Sequence, residues 1–272
     1  MKQVKEKGGG VPFTKRLYRV KGGYFNAKAA LDAVRNNWRP GNKIQRSLSS
    51  EEKDQWMKNI SWLGSYVNNL KQLHRKKGGG SLASYQARKF TKPHNAWKNV
   101  TNYTWMYYTL KLTLKMGEEE MKILYLDALN ETGKSLRTTT MLKQFFPSDM
   151  LYCANPDRRI FQRLRREGVN ASCLLFKDAV EREWLHEKFD SLFLDLCTSC
   201  PRNIVQNIKT VLPCLLPGSV IALTITPRYN KGVSMKDRIS NIKKYLKKMG
   251  FVYLDESGIC GVMTCFFQRS TV

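Results

Sequence analysis

Acidic side chains are the scarcest resource of this chain: its 272 residues hold 22 Asp and Glu against 47 Lys and Arg, a formal net charge of +25. Solubility alone asks for far less, so the imbalance points to a polyanionic partner, with nucleic acid the default. Long apolar runs are missing too. Nothing approaches the roughly 18 residues of a membrane-spanning helix, and the start MKQVKEKGGG lacks the apolar core of a secretory signal. The expectation is an intracellular protein without a membrane partner, in nucleus, organelle or virion. Histidine is nearly absent: His74, His94 and His186 are not at paired spacing, and Cys197 with Cys200 makes one C-x-x-C with no second ligand pair. No metal site is expected. The first 152 residues contain no cysteine, and the seven that follow are an odd number, some in expected strands (Cys153, Cys173, Cys265). Buried thiols in a reducing compartment suit this better than a disulfide framework.

What the chain does have is enough apolar material, 42% hydrophobic with 11% aromatic, to fill a core. Its charge is uneven, net +16 up to Glu120 and +9 after it, so the front is the expected polyanion contact. Residues 1–24 read as a basic, glycine-rich arm carrying Lys5, Lys7, Lys15, Arg16 and Arg19. Residues 25–118 read as a basic, mainly helical module. A short helix is expected over Ala27–Trp38; a capping box at Ser49–Glu52 then opens an amphipathic helix through Trp56, Ile60, Leu63, Val67, Leu70 and Leu73. Its end, Arg75-Lys76-Lys77 before three glycines, echoes Lys5 to Gly10, and with Arg88 and Lys89 completes the candidate nucleic-acid contacts. TNYTWMYYTLKLTLK, Thr101–Lys115, is aromatic and β-prone and is compatible with strand or helix.

From residue 119 to 272 the pattern becomes regular. KILYLDALNETGKS, Lys122–Ser135, is an apolar run too short for a helix that ends in Asp127 and breaks into a turn. An acid at the carboxyl end of such a strand either binds ligand or caps the turn. Strand-then-helix units follow: Ile123–Asp127 with Lys134–Phe146, Met150–Ala154 with Arg158–Glu167, Ser172–Phe176 with a short polar helix, Ser191–Asp195 with Pro201–Leu212, and Ser219–Thr226 with Ser234–Met249. Phe251–Glu256 and Val262–Gln268 close the chain as a hairpin. The alternation predicts an α/β, doubly wound, mostly parallel seven-stranded sheet with a terminal antiparallel hairpin.

Residues 122–268 resemble the class I S-adenosylmethionine-dependent methyltransferase family: LYLDALNETG as its first motif, then MLYCANPD, CLLFKDA, FDSLFLDLCTS and LLPGSVIALTIT at its later strands, and MGFVYLDESG…VMTCFFQRS as its last helix and hairpin. The resemblance implies S-adenosylmethionine as cofactor. It implies that Asp127 lies beside the methionine end, with Leu129 and Gly133 in the cofactor loop, Asn155 at the ribose and Asp178 near the adenine. Asp195 and Cys197 would then edge the reacting methyl as the catalytic candidates. Two of the three glycines of the usual D-x-G-x-G-x-G are Leu129 and Glu131, and Asn155 replaces an acid. The fourth motif reads D-L-C-T, without the Pro-Pro-aromatic of enzymes that methylate exocyclic amines.

Three readings stand open. The chain is a methyltransferase acting on RNA or DNA; or a catalytically inactive, nucleic-acid-binding component of a large particle such as a virion or ribosome, with other proteins as partners; or, from Ala128–Ser135 (ALNETGKS) as a loose phosphate loop, a nucleotide hydrolase.

Overall fold

The structure, a computed structural model, describes residues 61, 64–65, 67–68, 92–116, 121–129, 135–198, 201–226, 234–259 and 262–271. The basic arm, the helix expected over Ala27–Trp38, and the candidate contacts Lys5, Lys7, Lys15, Arg16, Arg19, Arg75, Lys76, Lys77, Arg88 and Lys89 lie outside the described residues. Of the amphipathic helix expected after Ser49, the five described residues are helical, and Val67 is buried in the core.

The undecided stretch at Thr101 belongs to a long helix, α1 (Lys92–Met116). After it come β1 (Ile123–Tyr125), α2 (Arg137–Leu142), β2 (Leu151–Ala154), α3 (Arg158–Arg166), β3 (Asn170–Ser172) and α4 (Phe176–Arg182). Next are β4 (Phe189–Thr198), α5 (Pro201–Val211), β5 (Leu215–Ile225), α6 (Met235–Lys248), β6 (Phe251–Ile259) and β7 (Val262–Arg269). The seven strands form one sheet in the order β3-β2-β1-β4-β5-β7-β6, parallel except where β7 pairs antiparallel with β5 and β6. This is the Rossmann-like methyltransferase fold, with the terminal hairpin the sequence predicted. Among the described residues no helix is long and apolar enough to cross a membrane.

Strand alternation divides the core into two layers. Ile123 and Tyr125 face a layer that holds Trp105 and Leu110 of α1, Met141 of α2 and Leu164 of α3. Leu124 faces the other, with Val180 of α4, Ile208 of α5 and Leu246 of α6. The first three helices therefore cover one face of the sheet and the last three the other, and the ends of β1, β2 and β4 open between them.

Several boundaries differ from expectation, two of them beside the strand ends that carry the candidate residues. β3 spans Asn170–Ser172, not Ser172–Phe176; Phe176 begins α4 and is buried in its layer. Cys173 is accordingly exposed beyond the strand end. Helix α2 starts at Arg137 rather than Lys134, because Leu129 and Leu136 form an antiparallel bridge that pinches the loop shut first. Gly168 closes α3 at φ 79°: its N–H bonds Arg165 O at 3.1 Å while Val169 N–H bonds Leu164 O at 3.1 Å. That paired closure requires a left-handed residue, which glycine supplies without strain.

Candidate functional site

Tyr125 of β1 is in register with Cys153 of β2 on one side and Phe193 of β4 on the other. Two residues further along each chain stand Asp127, Asn155 and Asp195. The pairing persists past the strand ends, with Leu126 N–H bonding Phe193 O at 3.1 Å and Asn155 N–H bonding Ser172 O at 3.0 Å. These three polar residues thus form one row across the carboxyl rim of β2, β1 and β4. Asp178 stands apart, in the first turn of α4 after β3. Gly133 lies outside the described residues, and for Cys197 only the backbone, in β4, is described.

Asp127 is buried, and both its oxygens are spoken for. Oδ1 accepts from Ala128 N–H at 2.8 Å and Thr138 N–H at 3.0 Å; Oδ2 accepts from Thr139 N–H at 2.7 Å and Thr139 Oγ1 at 2.7 Å. Helix α2 has Leu136 at its cap position, with no side-chain bond of its own. Asp127 fills that role from the preceding strand, taking the second and third helical amides that would otherwise be orphaned. Because the Thr139 hydroxyl gives its proton to Asp127, the Tyr125 phenol, 2.7 Å from Thr139 Oγ1, is the donor of that contact. Burial pushes the Asp127 carboxyl above its ordinary value, and the four donors pull the other way.

Asn155 is also committed. Its Nδ2 donates to Asp127 O at 2.8 Å and its Oδ1 accepts from Asp157 N–H at 2.9 Å, tying the end of β2 to the end of β1. Leu129, at a glycine position of the motif, packs its half-buried side chain against the core layer under α2. Its bulk is therefore accommodated within the fold.

The feature that sequence reasoning missed is Lys98. It is 97 residues from Asp195 in sequence, yet its Nζ pairs with Asp195 Oδ2 at the carboxyl end of β4, the two side chains only 10% and 20% exposed. Helix α1 holds it there by running antiparallel to β4. Further down, Trp105 Nε1 donates to Ser191 Oγ at 2.7 Å, and Thr109 Oγ1 meets the same oxygen at 2.8 Å. Lys98, Asn102, Trp105 and Thr109 are spaced four, three and four apart, one face of a helix. That spacing was a usable signal, but only once the stretch was known to be helical. Asn102 Oδ1, one turn below Lys98, is buried without a hydrogen-bond partner.

Only part of the donor set that would hold S-adenosylmethionine is free to do so. Asp127 and Asn155 build the floor of the cleft rather than offering free lone pairs. Ser172 Oγ, at the end of β3, is buried without a partner, Asp178 lies in the first turn of α4 beyond that strand, and the Lys98–Asp195 pair stands at the rim. Among the described residues, no group of three or more His, Cys, Asp or Glu gathers that could hold a metal ion.

No family model and no curated protein matches the chain. Similar solved structures include several methyltransferases. The N-methyltransferase NodS from Bradyrhizobium japonicum WM9 is 11% identical, covering 65% of this chain and 98% of that one at a TM-score of 0.42. The plantazolicin methyltransferase BpumL in complex with SAH is 13% identical over 75% and 98%, at 0.43. A fibrillarin/Nop5p complex gives 11% over 61% and 83%, also at 0.43. The fold itself stands on the strand order and register given above.

Proposed function

We propose that this chain is an RNA methyltransferase whose acceptor is a hydroxyl oxygen, served by Lys98 and Asp195. The observation that carries the reading is the part-buried ion pair of those two residues near the end of β4. An ammonium held there favours an oxygen that becomes electron-rich as its proton leaves. It opposes an amine, whose nitrogen turns positive on attack. The fourth motif, D-L-C-T, agrees in lacking the amine-directed pattern. Asp195 orients Lys98 and accepts from the incoming hydroxyl, and the net charge of +25 holds a polyanion near. S-adenosylmethionine, when bound, supplies an electrophilic methyl. Asp178 and Ser172 would hold it at the far end of the rim, above the floor that Asp127 and Asn155 build.

The test is methyl labelling by the full chain of an RNA, the same sequence as DNA, and the RNA already methylated on its 2′ oxygens. Label in the first alone is expected. Equal labelling of DNA would overturn the hydroxyl assignment.

A second reading is favoured by one observation, the engagement of the Asp127 and Asn155 side chains by neighbouring main-chain groups and the Thr139 hydroxyl. On it, the chain is an inactive nucleic-acid-binding component of a larger assembly, with proteins as further partners. Calorimetry separates the two: heat of S-adenosylmethionine binding at micromolar concentration supports transfer, and silence at millimolar concentration beside salt-sensitive RNA binding supports the second.

A further inference from the structure

The sheet order leaves β3 at an edge, so α3, which links β2 to β3, is the last helix in sequence on its face. Its sequence is RRIFQRLRR. Only Leu164 is buried, while Arg158, Arg159, Gln162, Arg165 and Arg166 are all exposed. At 100° per residue those five fall within an arc of about 120°, opposite Leu164. Helices that carry charge merely to stay solvated interleave both signs at i, i+4. This one has no acid inside it. The flanking acids are engaged elsewhere: Asp157 caps the helix, accepting from Arg159 N–H at 2.8 Å with the Arg159 guanidinium 3.6 Å away, and Glu167 pairs with Lys143 at 2.6 Å. Among the described residues Arg158, Arg165 and Arg166 have no acidic partner.

We infer that the outer face of α3 is a docking surface for the phosphates of an RNA strand. Arginine rather than lysine fits this, since a guanidinium fork meets two phosphate oxygens at once. From Arg158 to Arg166 the stripe runs about 12 Å, long enough to meet more than one phosphate of a strand. It begins three residues beyond Asn155, which shares a row with Asp195 two strands away. At about 4.8 Å per strand Asn155 is about 10 Å from the line of β4, and α3 stands one layer outside the sheet at that end. A strand lying on α3 therefore reaches the β2 end of the row whose β4 end carries the Lys98–Asp195 pair. The choice of RNA rests on the hydroxyl reading above; the phosphate chemistry does not.

The experiment measures binding of the full chain to a fluorescent single-stranded RNA of about 20 nucleotides, without cofactor, from 50 to 200 mM salt. The triple variant Arg158→Gln, Arg165→Gln, Arg166→Gln is compared with Lys244→Gln, Lys247→Gln, Lys248→Gln. The latter removes equal charge from exposed positions of α6, on the other face. The arginine variant is expected to bind at least about tenfold more weakly, and its slope of log K against log salt to shrink by about two, near 0.7 per lost contact. The lysine variant should change less than about twofold. Equal losses in both, or an arginine variant with unchanged affinity and slope, overturns the inference. Because no methyl transfer is read, the two claims fail separately. RNA bound through α3 but never methylated sinks the transfer reading alone; methylation with binding indifferent to the arginines sinks this one alone.

Discussion

Lys98 and Asp195 meet across 97 residues of sequence to form an ion pair at the carboxyl rim of the sheet, largely shut off from water. Removing one member leaves the other charged in a poorly solvated place, so Lys98→Met and Asp195→Asn should each cost about 3 kcal/mol in urea unfolding. The double variant leaves no lone charge and should cost clearly less than the sum. Transfer should separate from binding: Lys98→Met lowers turnover at least about a hundredfold while the cofactor's dissociation constant holds. A single variant as stable and as active as the wild type would remove the pair from both accounts.

Asp127 works in the fold as a cap supplied at a distance. In Asp127→Asn the amide nitrogen must face N–H or hydroxyl donors on one side, costing about 2 kcal/mol. Its pH dependence has a definite sign. Burial raises the folded-state carboxyl above its unfolded value, so the stabilisation linked to its proton is full below pH about 4 and is lost as pH rises through the folded value. The stability gap between wild type and Asp127→Asn should therefore be wider at pH 4 than at pH 7. Urea midpoints at the two pH values measure it, and a gap that widens toward pH 7 would contradict the burial argument.

Ser191 anchors α1 to the middle of the sheet. Its hydroxyl receives the Trp105 indole N–H at 2.7 Å and lies 2.8 Å from the Thr109 hydroxyl, with all three side chains buried. Ser191→Ala takes the acceptor from the buried Trp105 indole N–H, at a cost of about 2 kcal/mol. Since the same helix carries Lys98, activity should fall with it. Urea unfolding followed by tryptophan fluorescence tests this directly.

The parallel strands were legible because burial on both faces makes β1, β2, β4 and β5 nearly continuous apolar runs. Strand β3 was misplaced by the same logic. It is an edge strand paired only with β2, and Asn170–Ser172 serves there although the more apolar Cys173–Phe176 follows. Helix α1 resisted assignment because Thr101, Thr104, Trp105, Met106, Thr109 and Leu110 are buried with Tyr103, Tyr107 and Tyr108 half-buried, leaving no clean polar stripe. Asp127 and Asp195 could be placed at strand ends from sequence. Their partners, Thr139 and Lys98, could not, because each comes from a helix whose start or existence depended on tertiary packing.

The thiols give a last test, of the sheet rather than the cleft. Cys153 in β2 and Cys265 in β7 are buried, and burial pushes the first well above the ordinary thiol value and the second up to about 12. Cys173, one residue past β3, is exposed. Alkylation needs the thiolate and access to it. At pH 8 in native buffer, iodoacetamide should modify Cys173 at least about a hundred times faster than Cys153 or Cys265, as read by peptide mass spectrometry. In urea the three rates should converge, since unfolding removes both protections at once. Native labelling of Cys153 at the rate of Cys173 would mean that β2 does not lie inside the sheet, and the row of Asp127, Asn155 and Asp195 would then lose the register that aligns it.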